Sequence, residues 1–169
     1  KRKADGEPLL QRVRFFPYAD IMAYSFTLAW FFGRMGCFSA HDHPGIPTEF
    51  FLGVYGMCSD LGPSVACHDL GLYEAILSLA MFGLFMVLDR KPRFPGFLLS
   101  LLLMIYGPAR FVMDFFRDPD GDTRYFGLTP AQYGSIILAI LGVVVWLRQR
   151  NEAPVRPVAT QGKAATTEA

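Results

Sequence analysis

Charge is what this sequence has least of. Lys, Arg, Asp and Glu make up 18% of its 169 residues, against roughly 25% in a soluble domain. A basic excess is also missing. The formal net charge of +1 gives no support for nucleic-acid binding, which needs a basic face or stripe. No internal repeat is evident, and neither are the paired broken helices of transporters. The chain opens on Lys1 and shows no n-region, h-region and small-residue cleavage pattern. It is therefore read as a segment of a longer protein, with part of a membrane domain expected upstream.

What is present is apolar. Hydrophobic residues make up 52% and aromatics 15% of the chain. The charges crowd into the first fourteen residues, short loops and the tail. The stretches between them come close to the roughly 20 residues a helix needs to cross a bilayer. The fold expected is an all-α integral membrane protein with about four transmembrane helices, over residues 17–38, 70–88, 97–116 and 129–147. Residues 1–16 form a basic cytoplasmic segment, and 148–169 a polar, disordered cytoplasmic tail. Thr129 suits an N-cap and Pro130 the first helical position. Residues 39–69 form a loop with two weak strand-like patches, around Phe50 to Tyr55 and at Val65. Twelve of the sixteen Lys and Arg residues fall on the side of both termini and the 89–96 connection. That side is expected to be cytoplasmic, leaving loops 39–69 and 117–127 facing outward.

An ionisable residue inside a span costs about 2.5–3.5 kcal/mol on insertion scales, so it faces the protein interior or marks a functional path. Tyr106, Arg110 and Asp114 are spaced i, i+4, i+8 along one helix face, and Arg117 extends that stripe outward. The bland alternative is an Arg110–Asp114 pair that snorkels. Arg34 ends the first span between Gly33 and Gly36, glycines that allow close approach of a backbone or head group. A guanidinium binds phosphate oxygens bidentately, so Arg34 and Arg110 at one depth would make a phospholipid head-group clamp. A small-residue helix contact with an interfacial arginine anchor is the competing reading.

His41, Asp42 and His43 cluster in the outward loop. A metal reading needs three or more converging ligands, which His68 and Asp69 would have to supply; no metal is expected. Proton transfer by His41 or His43 and plain solvated-loop residues are the other two readings. Residues 118–122 lack the full ligand pattern of a calcium loop and are read as a turn. Cys58 and Cys67 could close a disulfide over Gly62 and Pro63. Cys37 is left as the third thiol, expected to be buried against a helix.

Four blocks in order resemble the prolipoprotein diacylglyceryl transferase family. Gly33-Arg34-Met35-Gly36-Cys37-Phe38, with Gly45 following, resembles its Gly-Arg-x-Gly-Asn-Phe signature. His68-Asp69-Leu70-Gly71-Leu72-Tyr73-Glu74 resembles its His-Pro-Ser-Gln-Leu-Tyr-Glu. Tyr106-Gly107-Pro108-Ala109-Arg110-Phe111, through Asp114-Phe115-Phe116-Arg117 and Asp118-Pro119-Asp120, resembles its longest and most specific block. Leu128-Thr129-Pro130-Ala131-Gln132 resembles the opening of its last span. The match covers most of residues 15–147.

The resemblance implies a multi-pass enzyme of the bacterial plasma (inner) membrane, with seven spans of which these are the last four, and a cytoplasmic C-terminus. It implies transfer of a diacylglyceryl group from phosphatidylglycerol to the lipobox cysteine of a prolipoprotein, without a cofactor. Arg34, Arg110, Tyr106 and Asp42 carry over as catalytic. Gly33, Gly36, Gly45, His68, Tyr73, Glu74, Asp114 and Arg117 carry over as substrate-binding. Three departures stand out. The family's His-Gly-Gly segment is absent from this chain, its signature asparagine is Cys37, and its Asn-Gly-Glu is Ala40-His41-Asp42. These mark a divergent paralogue in which His41, His43 or His68 replaces a missing polar function. The competing reading is a non-catalytic membrane protein on the same scaffold, binding phospholipid, upstream spans or another membrane subunit.

Overall fold

The computed structural model describes residues 15–58, 61–117 and 124–155. Residues 1–14 of the expected basic segment 1–16, all of the 118–122 turn and the tail beyond Val155 lie outside them. Four helices carry the fold: α1 Phe15–Ala40, α2 Leu70–Leu88, α3 Phe97–Met113 and α4 Pro130–Gln149. Among the described residues, three stretches, Leu70–Leu88, Phe97–Phe116 and Pro130–Gln149, are long and apolar enough to cross a membrane. α1 has 26 residues but is not among them. Asp20, Arg34 and a scatter of Tyr, Ser and Thr dilute its apolar run. The expectation of four spans is thus met by three on composition and length.

α1 packs chiefly on α2, and α3 on α4, with α1 also touching α3. Glycine sets the closest approach. A Cβ at Gly107 would lie 2.8 Å from the Ser135 carbonyl oxygen, and one at Gly142 would lie 2.9 Å from that of Ser100. Small residues therefore let α3 and α4 pack backbone to backbone, the usual device between helices in lipid. A compact cluster of Met81, Phe85, Phe97 and Leu98 joins α2 to α3, with Tyr24 and Trp146 packed against it. The outward faces are apolar as well: Met22, Phe32, Ile137, Ile140 and Leu147 are exposed, as a lipid-facing surface requires.

Three helix starts have an identifiable cause. Thr129 caps α4 through a complete capping box with Gln132, and Pro130 follows at the first position. The Asp69 side chain accepts the Leu72 N–H at 2.9 Å and starts α2. α3 has no cap of its own, because its N-cap is Gly96, left-handed at φ 88°. Asp20 on α1 supplies one from a distance, accepting the N–H groups of Gly96 at 2.7 Å and Leu99 at 2.9 Å. Loss of an N-cap costs about 0.5–2 kcal/mol. Asp20→Ala is expected to fall at the upper end of that range, read as a lowered thermal midpoint in detergent. An unchanged midpoint would show that water caps α3 equally well.

The 39–69 loop, where two strand-like patches were expected, adds a small sheet to the helices. It holds an antiparallel three-stranded sheet in the order β1-β3-β2, formed by β1 Pro44–Pro47, β2 Val54–Tyr55 and β3 Ala66–Asp69. β1 was not expected, since a segment with prolines at both ends carries little strand signal. A disulfide joins Cys58 to Cys67. After α3 the chain tightens into a 3-10 turn, Asp114–Phe116. At the other end, α4 runs through Gln149, and the Val155 N–H donates to the Arg93 carbonyl at 2.8 Å.

Candidate functional site

The site is organised by one carboxylate. Glu74, on the first turns of α2, is only 1% exposed. Its Oε2 accepts the Tyr106 hydroxyl at 2.8 Å and the Trp30 indole N–H at 3.2 Å. Arg34 Nε lies 3.0 Å from the same oxygen, and Arg110 Nε lies 3.4 Å from Oε1. The Arg34 Nε contact is an ion pair off hydrogen-bond alignment. An uncompensated carboxylate at this depth would be very costly; here two cations and two neutral donors surround it.

The donors come from two helices in the same spacing. α1 contributes Trp30 and, four residues on, Arg34; α3 contributes Tyr106 and, four residues on, Arg110. That spacing puts aromatic and arginine on one helix face. The Arg34 guanidinium carbon sits 4.7 Å from the Trp30 ring centroid, so the ring also steadies it as a cation. The Arg34 and Arg110 side chains remain 16% and 17% exposed. Two guanidinium groups on separate helices thus share one depth and keep part of their surface open.

A further layer holds Arg110. Its Nη1 lies 3.4 Å from Asp114 Oδ1, and the Thr129 hydroxyl donates to the other Asp114 oxygen. Asp114 is 1% exposed. The stripe of Tyr106, Arg110 and Asp114 is therefore real, but Asp114 is a buried brace and not an accessible substrate ligand. Arg117 does not continue it. The 3-10 turn takes it off the helix into an extended conformation, where its backbone bridges to Gly45.

The remaining expected residues divide. Gly33 and Gly36 have open space where a Cβ would stand, so among the described residues neither makes a small-residue helix contact. Gly45 is the opposite: a Cβ there would run into the Phe116 carbonyl and lie 2.9 Å from His68 Cβ. It is needed for the sheet to close on the end of α3, a structural duty. His68 Nδ1 and the Tyr73 hydroxyl are 2.6 Å apart. They line an apolar pocket of about 650 Å³ with Phe50, Pro108, Val112 and Phe116. Burial draws the His68 imidazole below its ordinary value of 6.5, which favours the neutral ring.

Asp42 is not brought to Arg110 or Tyr106. It is half exposed and lies 3.7 Å from His43 Nε2. His41 turns away, with Nδ1 3.6 Å from Asp69 Oδ2. His68 and Asp69 do not join His43; Cys37 does. That thiol is half-buried, not sealed in a helix contact, and lies 3.9 Å from Arg34 Nη1. Sequence reasoning missed Trp30, Asp20 and Thr129 as functional supports. The repeated aromatic-x-x-x-arginine spacing was the available signal for Trp30.

This is a helical membrane protein whose site is a pair of arginines held by a buried carboxylate at the junction of three helices. The model of the prolipoprotein diacylglyceryl transferase family matches residues 8–148, and the chain belongs to that family. It is 32% identical over 143 residues to the phosphatidylglycerol–prolipoprotein diacylglyceryl transferase of Idiomarina loihiensis, covering 83% of this chain and 53% of the relative. It is 31% identical over 147 residues to that of Chlorobaculum tepidum, covering 83% and 50%. For that of Wolinella succinogenes the identity is 33% over 137 residues, covering 79% and 48%. The chain thus spans about half the length of the curated relatives it matches.

Proposed function

We propose that the protein containing this chain transfers a diacylglyceryl group from phosphatidylglycerol to the lipobox cysteine of a prolipoprotein. The observation that carries this reading is the meeting of Arg34 and Arg110, from different helices, on the two oxygens of Glu74. Phosphate is the leaving group in such a transfer. A pair of partly open guanidiniums can receive its developing charge through their planar forks. The Tyr106 hydroxyl stands between them on the same carboxylate. The attacking thiolate forms a carbon–sulfur bond to the glycerol carbon as the carbon–oxygen bond to phosphate breaks.

In this reading α1 crosses the bacterial inner membrane with α2, α3 and α4. The sheet faces outward and the C-terminus lies in the cytoplasm, as the arginine and lysine bias supports. Upstream spans complete the cavity. The test is complementation of a lipidation-deficient strain by the full-length gene. The intact gene is expected to restore lipidation and Arg110→Ala to abolish it. Proper insertion without lipidation would move the assignment to a non-catalytic phospholipid- or partner-binding protein.

A further inference from the structure

Beside the arginine pair lies a group of ligands that the transfer reading does not use. Among the described residues, Cys37, Asp42 and His43 bring one ligand atom each to within 4.8 Å of one another. Cys37 is in the last turn of α1. The chain then reverses at His41, whose φ of 52° is left-handed, and this folds Asp42 and His43 back over the thiol. The reversal is anchored: the Leu70 N–H donates to the His43 carbonyl, and Pro44 pairs with Asp69. A Cβ at Gly71 would stand 3.2 Å from Cys37 Cβ, so the start of α2 fixes the Cys37 Cβ while its thiol stays partly open.

We propose that Cys37, Asp42 and His43 bind a zinc ion with one open position, and that this position takes the substrate thiolate. Thiolate, imidazole and carboxylate are the ligand types zinc uses, and three protein ligands with a fourth place open is its catalytic arrangement. Zinc bond lengths put tetrahedral ligand atoms about 3.3–3.8 Å apart. His43 Nε2 and Asp42 Oδ1 already stand 3.7 Å apart, and rotation of half-exposed side chains brings in the thiol. The charges suit a dication. Thiolate and Asp42 neutralise it, the C-terminal end of α1 favours a cation, and the neighbouring Arg34 is engaged by Glu74. Cys58 and Cys67 are consumed by their disulfide, leaving Cys37 as the ligand thiol.

The part assigned to the open position rests on the transferase reading; the metal site does not. A peptide thiol entering that position loses its proton to solvent and becomes a zinc thiolate at neutral pH. Arg34 Nη1 is 3.9 Å from Cys37 Sγ. A thiolate held there is one side chain away from the proposed phosphate clamp.

The full-length protein, metal-stripped in detergent with its disulfide oxidised, is titrated with cobalt(II) and then zinc. A thiolate-to-cobalt charge-transfer band that zinc abolishes is expected, and Cys37→Ser should remove it. Asp42→Asn and His43→Ala should each weaken zinc binding by more than the roughly 10–100-fold that loss of an outer-shell partner costs. A single-cysteine lipobox peptide should intensify the band, and its serine counterpart should not. No band, or a band unchanged in Cys37→Ser, overturns the site. A Cys37-dependent band indifferent to the cysteine peptide overturns the open position. Loss of lipidation with the cobalt signature intact counts against the transferase reading alone.

Discussion

Glu74→Ala is expected to be the most destabilising single change in the chain, by about 3–5 kcal/mol, the cost of breaking a buried ion pair from one side. The carboxylate is shared by Arg34, Arg110, Tyr106 and Trp30. Its removal leaves two guanidinium groups, a hydroxyl and an indole N–H facing each other around a cavity. Like charges then repel across a space that water fills poorly. Glu74→Gln keeps an acceptor for Tyr106 or Trp30 and removes only the charge, so it should fall between alanine and parent. Thermal midpoints of the full-length protein in detergent measure both. An alanine variant as stable as the parent would mean that the arginines are served from solvent and that Glu74 is no keystone.

Arg34→Lys and Arg110→Lys test the clamp itself. Lysine retains the charge and gives up the planar fork. Removing a preorganised donor from a developing oxyanion typically costs about 10²–10³ in rate. Each lysine variant is expected to lose transfer from phosphatidylglycerol on that scale while remaining folded. Arg34→Lys also gives up stacking on Trp30, so its stability should be measured alongside its rate. The double variant should fall short of the product of the two, because both side chains act on one phosphate through one carboxylate. Near-parental rates in both single variants would show that simple positive charge suffices.

Local features were readable from sequence, and their partners were not. Thr129 and Pro130 announced the start of α4 because capping is written within four residues. The apolar runs announced the helices, and composition alone pointed to a membrane. The three-helix convergence on Glu74 was legible only as a list of matched blocks. Which carboxylate the arginines share is decided by helix packing across 36 and 40 residues of chain, counted from the numbers of Arg34, Glu74 and Arg110. β1 was hidden because its only strand signal is the partner it finds in β3. Arg117 was misplaced because an i+3 or i+4 stripe presumes a continuing α-helix, and the 3-10 turn at Asp114 ends it.

The cap that Asp20 provides has a consequence for biogenesis. In the proposed reading α1 enters the bilayer before α3 exists, carrying Asp20 towards one end and Arg34 towards the other, charges whose cost reaches about 2.5–3.5 kcal/mol at a helix centre on insertion scales. Both debts are settled by later segments: Arg34 by Glu74 of α2, Asp20 by the amide groups opening α3. Of the four described helices, α1 is therefore made before the partners that satisfy it, and its stable residence in lipid waits on the synthesis of α2 and α3.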